Sequence, residues 1–229
     1  ARAGRLAGIA GHSVGELAAA AGAGILSEAD AMRLVALRGR AMASAAAEVK
    51  TGMSAVIGAD EGELLGMLAA LGLESANFNG GGQIVVAGEL PALERLKETP
   101  PPGARVIPLQ VAGAFHTRFM APAVETLREA AADGAVSDPT TTIWTNRDGS
   151  TVGSGAAYLD LIVGQVASPV RWDLTMEAFA AAGITGIVEL APAGALVGLA
   201  KRGLKGLPTV AVKTPDDLPA AQALIDGAA

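Results

Sequence analysis

The chain has 229 residues, is 51% hydrophobic but only 3% aromatic, and carries 30 Gly, 2 His and no Cys. The missing thiols exclude disulfides, a cysteine nucleophile and thiolate metal sites, and two histidines are too few for a multi-histidine zinc centre. A net charge of -6 argues against nucleic acid as a partner. No run of ~18 uncharged apolar residues predicts a membrane span. Ala1 to Arg5 lacks the apolar core of a signal peptide, so a cytoplasmic setting is expected. The length allows one large domain or two smaller ones, with a core in which Ala and Gly bring backbones close together.

The chain opens with an apolar run, Leu6 to Ala10, that reads as a strand. Gly11-His12-Ser13-Val14-Gly15-Glu16 follows, and then an Ala-rich helical stretch, Leu17 to Ala21. Strand, sharp turn with serine at its apex, and helix together make the G-x-S-x-G pattern of a nucleophile elbow. Small residues on either side of Ser13 would let the backbone turn tightly, and the new helix would aim its N-terminus at a developing anion. A Gly-rich turn with an ordinary serine has the same letters, so the rest of the chain must supply a base and an anion site.

Ser27-Glu28-Ala29-Asp30 reads as a capping box, opening a helix from about Glu28 to Ala47. At 100° per residue its apolar face holds Ala31, Leu34, Val35, Ala41, Met42 and Ala45, with Arg38 in the middle of that face. A buried guanidinium keeps its charge and needs an anion. The partner is either a structural carboxylate, unless the side chain snorkels to solvent, or a substrate carboxylate held by the fork of N–H groups.

From Thr51 the texture changes to strand 52–57, helix 60–71, hairpin 74–79 and 83–87 around Gly80-Gly81-Gly82, helix 90–97 and strand 105–111. That βαββαβ order predicts an inserted ferredoxin-like subdomain at 51–112. The triple glycine has no following helix or lysine, so it reads as a plain turn. After Ala112-Gly113-Ala114-Phe115-His116-Thr117 a helix runs from Arg118 to Ala132. His12 precedes the elbow serine and should point away from it. His116 is then the only imidazole free to act as base, at the junction where the insert returns to the main body.

The remainder alternates: strand 140–146, helix 156–166, helix 170–182, strand 186–190, helix 195–203, strand 209–213 and a last helix from about Pro215. The expected fold class is α/β, a hydrolase-like and mainly parallel sheet domain made by 1–50 and 113–229 around the insert. Chain order separates it from ordinary α/β-hydrolases, which run Ser, then Asp or Glu, then a late His. Here His116 comes early, so the group orienting it can lie downstream and need not be an acid.

These residues resemble the malonyl-CoA:acyl carrier protein transacylases and the related acyltransferase domains of polyketide synthases, over essentially the whole chain. Gly11 to Glu16 is similar to the family's GHSxGE nucleophile motif. Arg38 within Leu37-Arg38-Gly39 is similar to its malonyl-carboxylate arginine, and Asn77-Phe78-Asn79 with Gln83-Ile84-Val85 to the strip bordering the cleft. Gly113 to His116 is similar to the segment carrying the histidine, where Phe115 implies malonyl rather than methylmalonyl. Gln165, ahead of Ser168-Pro169-Val170-Arg171-Trp172, is similar to the glutamine whose main-chain carbonyl orients that histidine.

The resemblance implies ping-pong transfer of malonyl from malonyl-CoA to the phosphopantetheine thiol of acyl carrier protein, with Ser13 as nucleophile and His116 as base and acid in turn. Val14 would supply one oxyanion donor and Arg38 would hold the carboxylate; Phe115, Asn79 and His12 join them as expected substrate contacts. No cofactor is implied, since malonyl-CoA is a substrate, and a monomer is expected. The family's loop of Gly-Gln-Gly-x-x-Gln type, source of a second oxyanion donor, does not occur between Ala1 and the elbow, so a piece of a longer protein is expected. Lys201, Arg202 and Lys205 are the densest basic cluster, either a docking face for an acidic carrier protein or a solvated helix end. A serine thioesterase that releases the acyl group to water, and a non-catalytic piece that binds carrier protein, are the alternative readings.

Overall fold

A computed structural model describes residues 6–132 and 134–227; Ala1 to Arg5 lies outside them. The helix after the elbow, α1 (Gly15–Gly22), buries Leu17, Ala19 and Ala20. The long α2 (Glu28–Glu48) starts where Ser27 Oγ accepts the Asp30 N–H at 3.0 Å, as a capping serine should. The Asp30 carboxylate accepts a hydrogen bond from the Ser27 hydroxyl at 2.7 Å, where a capping box would have it accept the Ser27 N–H. Arg38 is buried on this helix with Ala31, Leu34, Met42 and Ala45, as the 3.6-residue period requires.

The next stretch follows the predicted order closely: β1 (Thr51–Ile57), α3 (Glu61–Leu71), β2 (Glu74–Gly80), β3 (Gln83–Glu89), α4 (Leu90–Glu98) and β4 (Arg105–Pro108). Gly80, Gly81 and Gly82 all have positive φ, at 73°, 56° and 75°. They therefore make a turn that side chains would strain, which accounts for the glycine triplet without a phosphate. The strands are antiparallel in the order β4-β1-β3-β2, the split-βαβ arrangement. β4 ends at Pro108, short of the expected Val111; Leu109 N–H still reaches Met53 O at 2.9 Å.

Two further helices follow: α5 (Ala121–Ala132), entered through a 3₁₀ turn at Arg118–Met120, packs on α2, and α6 (Gly155–Gln165) packs on α5 and α1. Met42 and Ala45 meet Met120, Ala123, Leu127, Val163 and Val166 there. The expected helix at 170–182 divides. Val170–Arg171 form β5, which pairs in parallel with Asn77 and Phe78 of β2, and α7 (Trp172–Ala181) begins only afterwards. The body thus contributes a fifth strand to the sheet of the insert, and the Arg171 guanidinium lies 4.5 Å over the Phe78 ring. Downstream, β6 (Ile187–Glu189) pairs in parallel with β7 (Thr209–Ala211), flanked by α8 (Ala195–Gly203) and α9 (Leu218–Ile225).

The two apolar runs expected as strands at 6–10 and 140–146 are extended but touch through single bridges. Ile9 pairs with Ile143 in parallel, and Trp144 with Thr151 antiparallel. The pairings that carry the body are mostly parallel and short, within a mixed α/β fold. No described helix is long and apolar enough to cross a membrane.

Candidate active site

The elbow is strained and heavily tied down. Ser13 has φ 56°, a left-handed conformation that costs a non-glycine residue ~1–3 kcal/mol. Three bonds hold it there. Ser13 N–H donates to Asn146 Oδ1 at 2.7 Å, Asn146 Nδ2 donates back to Gly11 O at 2.7 Å, and Gln165 Nε2 donates to Ser13 O at 3.1 Å. Only the first glycine of the motif is sterically required: a Cβ on Gly11 would stand 1.9 Å from the Gly15 carbonyl carbon, whereas one on Gly15 meets nothing within 4 Å.

His116 is also left-handed, with φ 62°, and its N–H is fastened to Val166 O at 3.0 Å. Its Nδ1 lies 3.0 Å from Gln165 O, and Nε2 lies 2.7 Å from Ser13 Oγ. A carbonyl can only accept, so Nδ1 carries the proton and Nε2 is left to take one from the serine hydroxyl. Burial pushes the imidazole down to about 4, with the charges of Arg38 and His12 adding to it. It is therefore neutral and a competent acceptor at physiological pH.

Arg38 reaches the same point from α2. One Nη2 donates to Ser13 Oγ at 3.1 Å and to Gln165 Oε1 at 3.2 Å. Among the described residues no carboxylate forms a salt bridge with it. Burial pulls its guanidinium down to about 10, against the opposing pull of Glu16. Ser13, Arg38, Phe115 and His116 line a cleft of ≈ 440 Å³, whose α2 wall is made of small side chains including Ala43, Ala46 and Ala47.

The next three N–H groups after Val14 each bond back one turn, Gly15 to His12 O at 3.0 Å, Glu16 to Ser13 O at 3.0 Å and Leu17 to Val14 O at 3.1 Å. Val14 N–H finds no acceptor among the described residues, and it stands at the start of α1, where partial positive charge accumulates. His12 turns away from Ser13 as expected. Its Nε2 is 2.9 Å from Asn79 Oδ1, Asn79 Nδ2 donates to Gln83 Oε1 at 3.0 Å, and the ring meets Trp172 edge-on at 5.5 Å. His12 and Asn79 thus tie the elbow to the β2–β3 hairpin and do not line the cleft. No group of three His, Cys, Asp or Glu side chains suited to a metal occurs among the described residues.

Three contributions escaped the sequence reading. Asn146 clamps both sides of the elbow, yet in sequence it is only the last letter of an apolar run. The Glu16 carboxyl is buried beneath the turn and accepts from Asn146 N–H at 2.7 Å and from Gln165 Nε2. Burial raises it to about 7. A single charge in the otherwise uncharged α1 was the available signal. The third is the Gln165 side chain, where only its main-chain carbonyl was anticipated.

The family described as acyl transferase domain matches residues 4–220. Malonyl CoA-acyl carrier protein transacylase of Mycobacterium tuberculosis is 55% identical over 210 residues, which is 92% of this chain and 70% of the relative. The crystal structure of MCAT from the same species superposes with a TM-score of 0.91 at 53% identity, covering 94% of this chain and 71% of that one. A malonyl-transacylase solved with a type II polyketide acyl-carrier protein (PlMCAT:AntF) gives a TM-score of 0.91 at 32% identity, over 96% of this chain and 74% of that one.

Proposed function

This chain belongs to the acyl transferase domain family, and we propose that it moves a malonyl group from malonyl-CoA to the phosphopantetheine thiol of acyl carrier protein by way of a malonyl-serine at Ser13. The observation that carries the choice of acyl group is Arg38, a buried cation that touches the Ser13 hydroxyl and has no carboxylate partner of its own among the described residues. An acyl group bearing a free carboxylate supplies the missing anion.

In this reading His116 Nε2 takes the hydroxyl proton as Ser13 Oγ attacks the thioester carbonyl. The Val14 N–H donates to the oxyanion, a contribution whose loss in comparable sites costs ~10²–10³ in rate. The intermediate collapses, the coenzyme A sulfur leaves, and His116 returns the proton to it. The carrier thiol then gives its proton to His116 and attacks the malonyl-serine, and Ser13 recovers its own proton as it departs. Proton and acyl shuttling of this kind needs no resident cofactor. Phe115 in the cleft lining favours the unsubstituted malonyl carbon, while His12 and Asn79, outside that lining, brace the elbow against the hairpin. In this reading the chain divides into a body of 1–50 and 113–229, which supplies Ser13, Arg38, Phe115 and His116, and an insert of 51–112, whose hairpin braces the elbow through Asn79.

All of these groups come from one chain, in keeping with a monomer, and a chain without cysteine suits the cytoplasm. Lys201 and Arg202 on the exposed end of α8, with Lys205 just beyond it, would face the acidic carrier protein. A Cβ built on Gly81 of the hairpin turn would lie 2.8 Å from Arg202 Cβ, so the cluster adjoins the hairpin that holds Asn79.

Intact-mass measurement after exposure to malonyl-CoA tests the central step. The unsubstituted chain should gain the mass of one malonyl group and pass it to carrier protein. Ser13→Ala should gain nothing; an adduct surviving in that variant would place the nucleophile elsewhere.

A further inference from the structure

Glu16 belongs to no step above, yet it is the one carboxyl buried beneath the elbow. Both of its oxygens accept: Oε1 from Asn146 N–H at 2.7 Å and Oε2 from Gln165 Nε2. That second bond, together with the one Gln165 Nε2 makes to Ser13 O at 3.1 Å, decides which way the Gln165 amide points. With Nε2 turned to the carboxylate, Oε1 must face the other way, where it accepts from Arg38 Nη2 at 3.2 Å. We infer that Glu16 is a positioning residue for acyl-group selection, acting through the Gln165 amide to hold the Arg38 guanidinium where it receives the free carboxylate of the acyl donor. This inference rests on the malonyl-transfer reading of the site.

Hydrogen-bond inventory makes the inference sharp. Glu16→Gln keeps the shape and supplies one acceptor where there were two. The Asn146 N–H belongs to the backbone and cannot turn round, so the new amide must give it the oxygen. Its NH₂ then faces Gln165, whose amide has to flip to offer Oε1. After the flip Gln165 Nε2 confronts Arg38 Nη2, donor against donor, and Arg38 loses its seat. The His116 Nδ1 bond uses the Gln165 main-chain carbonyl, which the flip leaves alone, whereas the bond from Gln165 Nε2 to Ser13 O, one of the three on the elbow, is lost.

Protonation of Glu16 has the same consequence, because a carboxylic acid has one oxygen that no longer simply accepts. The charged and titratable groups that face it are Arg38 from α2 and Tyr158 from α6, with His116 on the far side of Ser13. Burial places the Glu16 transition at about 7, well above the region where His116 changes charge.

The test compares malonyl-CoA with acetyl-CoA in single-turnover loading of Ser13, alongside labelling of Ser13 by a fluorophosphonate as a gauge of elbow and base. In Glu16→Gln, apparent affinity for malonyl-CoA should fall by about 10–100-fold, the range of a lost charge-assisted contact. Acetyl loading and fluorophosphonate labelling, which lose only the bond from Gln165 Nε2 to Ser13 O while both Asn146 bonds remain, should fall less. Malonyl affinity of the parent chain should improve as pH rises through about 7, and the variant should lack that trend. A Gln165→Met variant, which keeps the main-chain carbonyl but removes the amide and with it the bond to Ser13 O, should lose malonyl loading at least as far and should lower acetyl loading and labelling as well. Adding Glu16→Gln to it should cost little more, and this pair of variants decides the matter if the single Glu16 variant folds poorly. Equal losses for both acyl groups, or fully additive losses in the double variant, would overturn the role of Glu16 while leaving malonyl transfer intact. A parent chain that labels with fluorophosphonate but never loads malonyl would overturn the functional reading itself, and this inference with it.

Discussion

At the scale of single residues, charge and hydrogen-bond valence account for the site better than proximity does. Arg38 is the case in point. An exposed arginine near a serine would mean little, but a guanidinium held 8% exposed has left water and forms no salt bridge with a protein carboxylate among the described residues. Arg38→Ala should therefore lower malonyl loading by about 10²-fold or more, the cost of a charged hydrogen-bonded contact. Acetyl loading should suffer much less, since acetyl offers no carboxylate. Parallel loading rates for the two acyl donors provide the check, and equal damage to both would remove the carboxylate role. The position of Arg38 was legible from helical periodicity alone, because one cation on an apolar face violates the pattern around it. Glu16 violates the pattern of α1 in the same way. Its role was not legible, because the partners that give it meaning, Asn146 and Gln165, lie 130 and 149 residues away. Long-range polar pairing of this kind leaves no periodic trace in a sequence.

At the scale of elements, local signals sufficed wherever an element makes its own boundary. The serine cap of α2, the Asp60 cap of α3 and the glycine turn of the hairpin all sit within a few residues of what they control. Strands in the body were misjudged where pairing with distant chain decides. The 140–146 run has strand composition but finds only bridges at Ile143 and Trp144, and Val170–Arg171 leave the expected helix because β2 offers them an edge. A third kind of element boundary depends on one buried side chain. Glu189, at the end of β6, accepts from Gly194 N–H at 2.8 Å, Leu196 N–H at 2.9 Å and Val197 N–H at 2.8 Å. It thereby caps α8 and fixes the turn in which Ala193 and Gly194 have φ 50° and 111°. Glu189→Ala strands these donors and should destabilise the chain by about 2–4 kcal/mol. Glu189→Gln, with one acceptor left, should cost less. Urea denaturation midpoints rank the three proteins, and a Gln variant as weak as the Ala variant would mean that the capping bonds are not what matters.

At the scale of the whole molecule, burying one acid and two histidines in the same region ties stability to pH in opposing directions. Glu16 is raised from 4.5 to about 7, chiefly by burial. Between those values the folded chain holds a proton that the unfolded chain releases, so this contribution is full below 4.5 and is lost as pH rises through about 7. His116 is lowered from 6.5 to about 4, again chiefly by burial. Its contribution is full above 6.5 and is lost as pH falls toward 4, and His12, also lowered by burial, has the same sign. Glu16 and His116 are each worth roughly 3 kcal/mol. Asp148 and Asp217, both held below their ordinary 3.8, change charge below this range. From pH 4.5 to 6.5 Glu16 and His116 offset each other, and the parent chain should gain only what His12 adds as pH rises. Glu16→Gln removes the acid limb alone. The variant should then gain roughly 3 kcal/mol more than the parent across the same interval, following the histidines. Urea unfolding at a series of pH values reads this directly, and a parent and variant with parallel pH profiles would show that the Glu16 carboxyl is not the opposing group. The elbow that binds the acyl group is thus also where the chain stores much of its response to acid, because one buried cluster serves both.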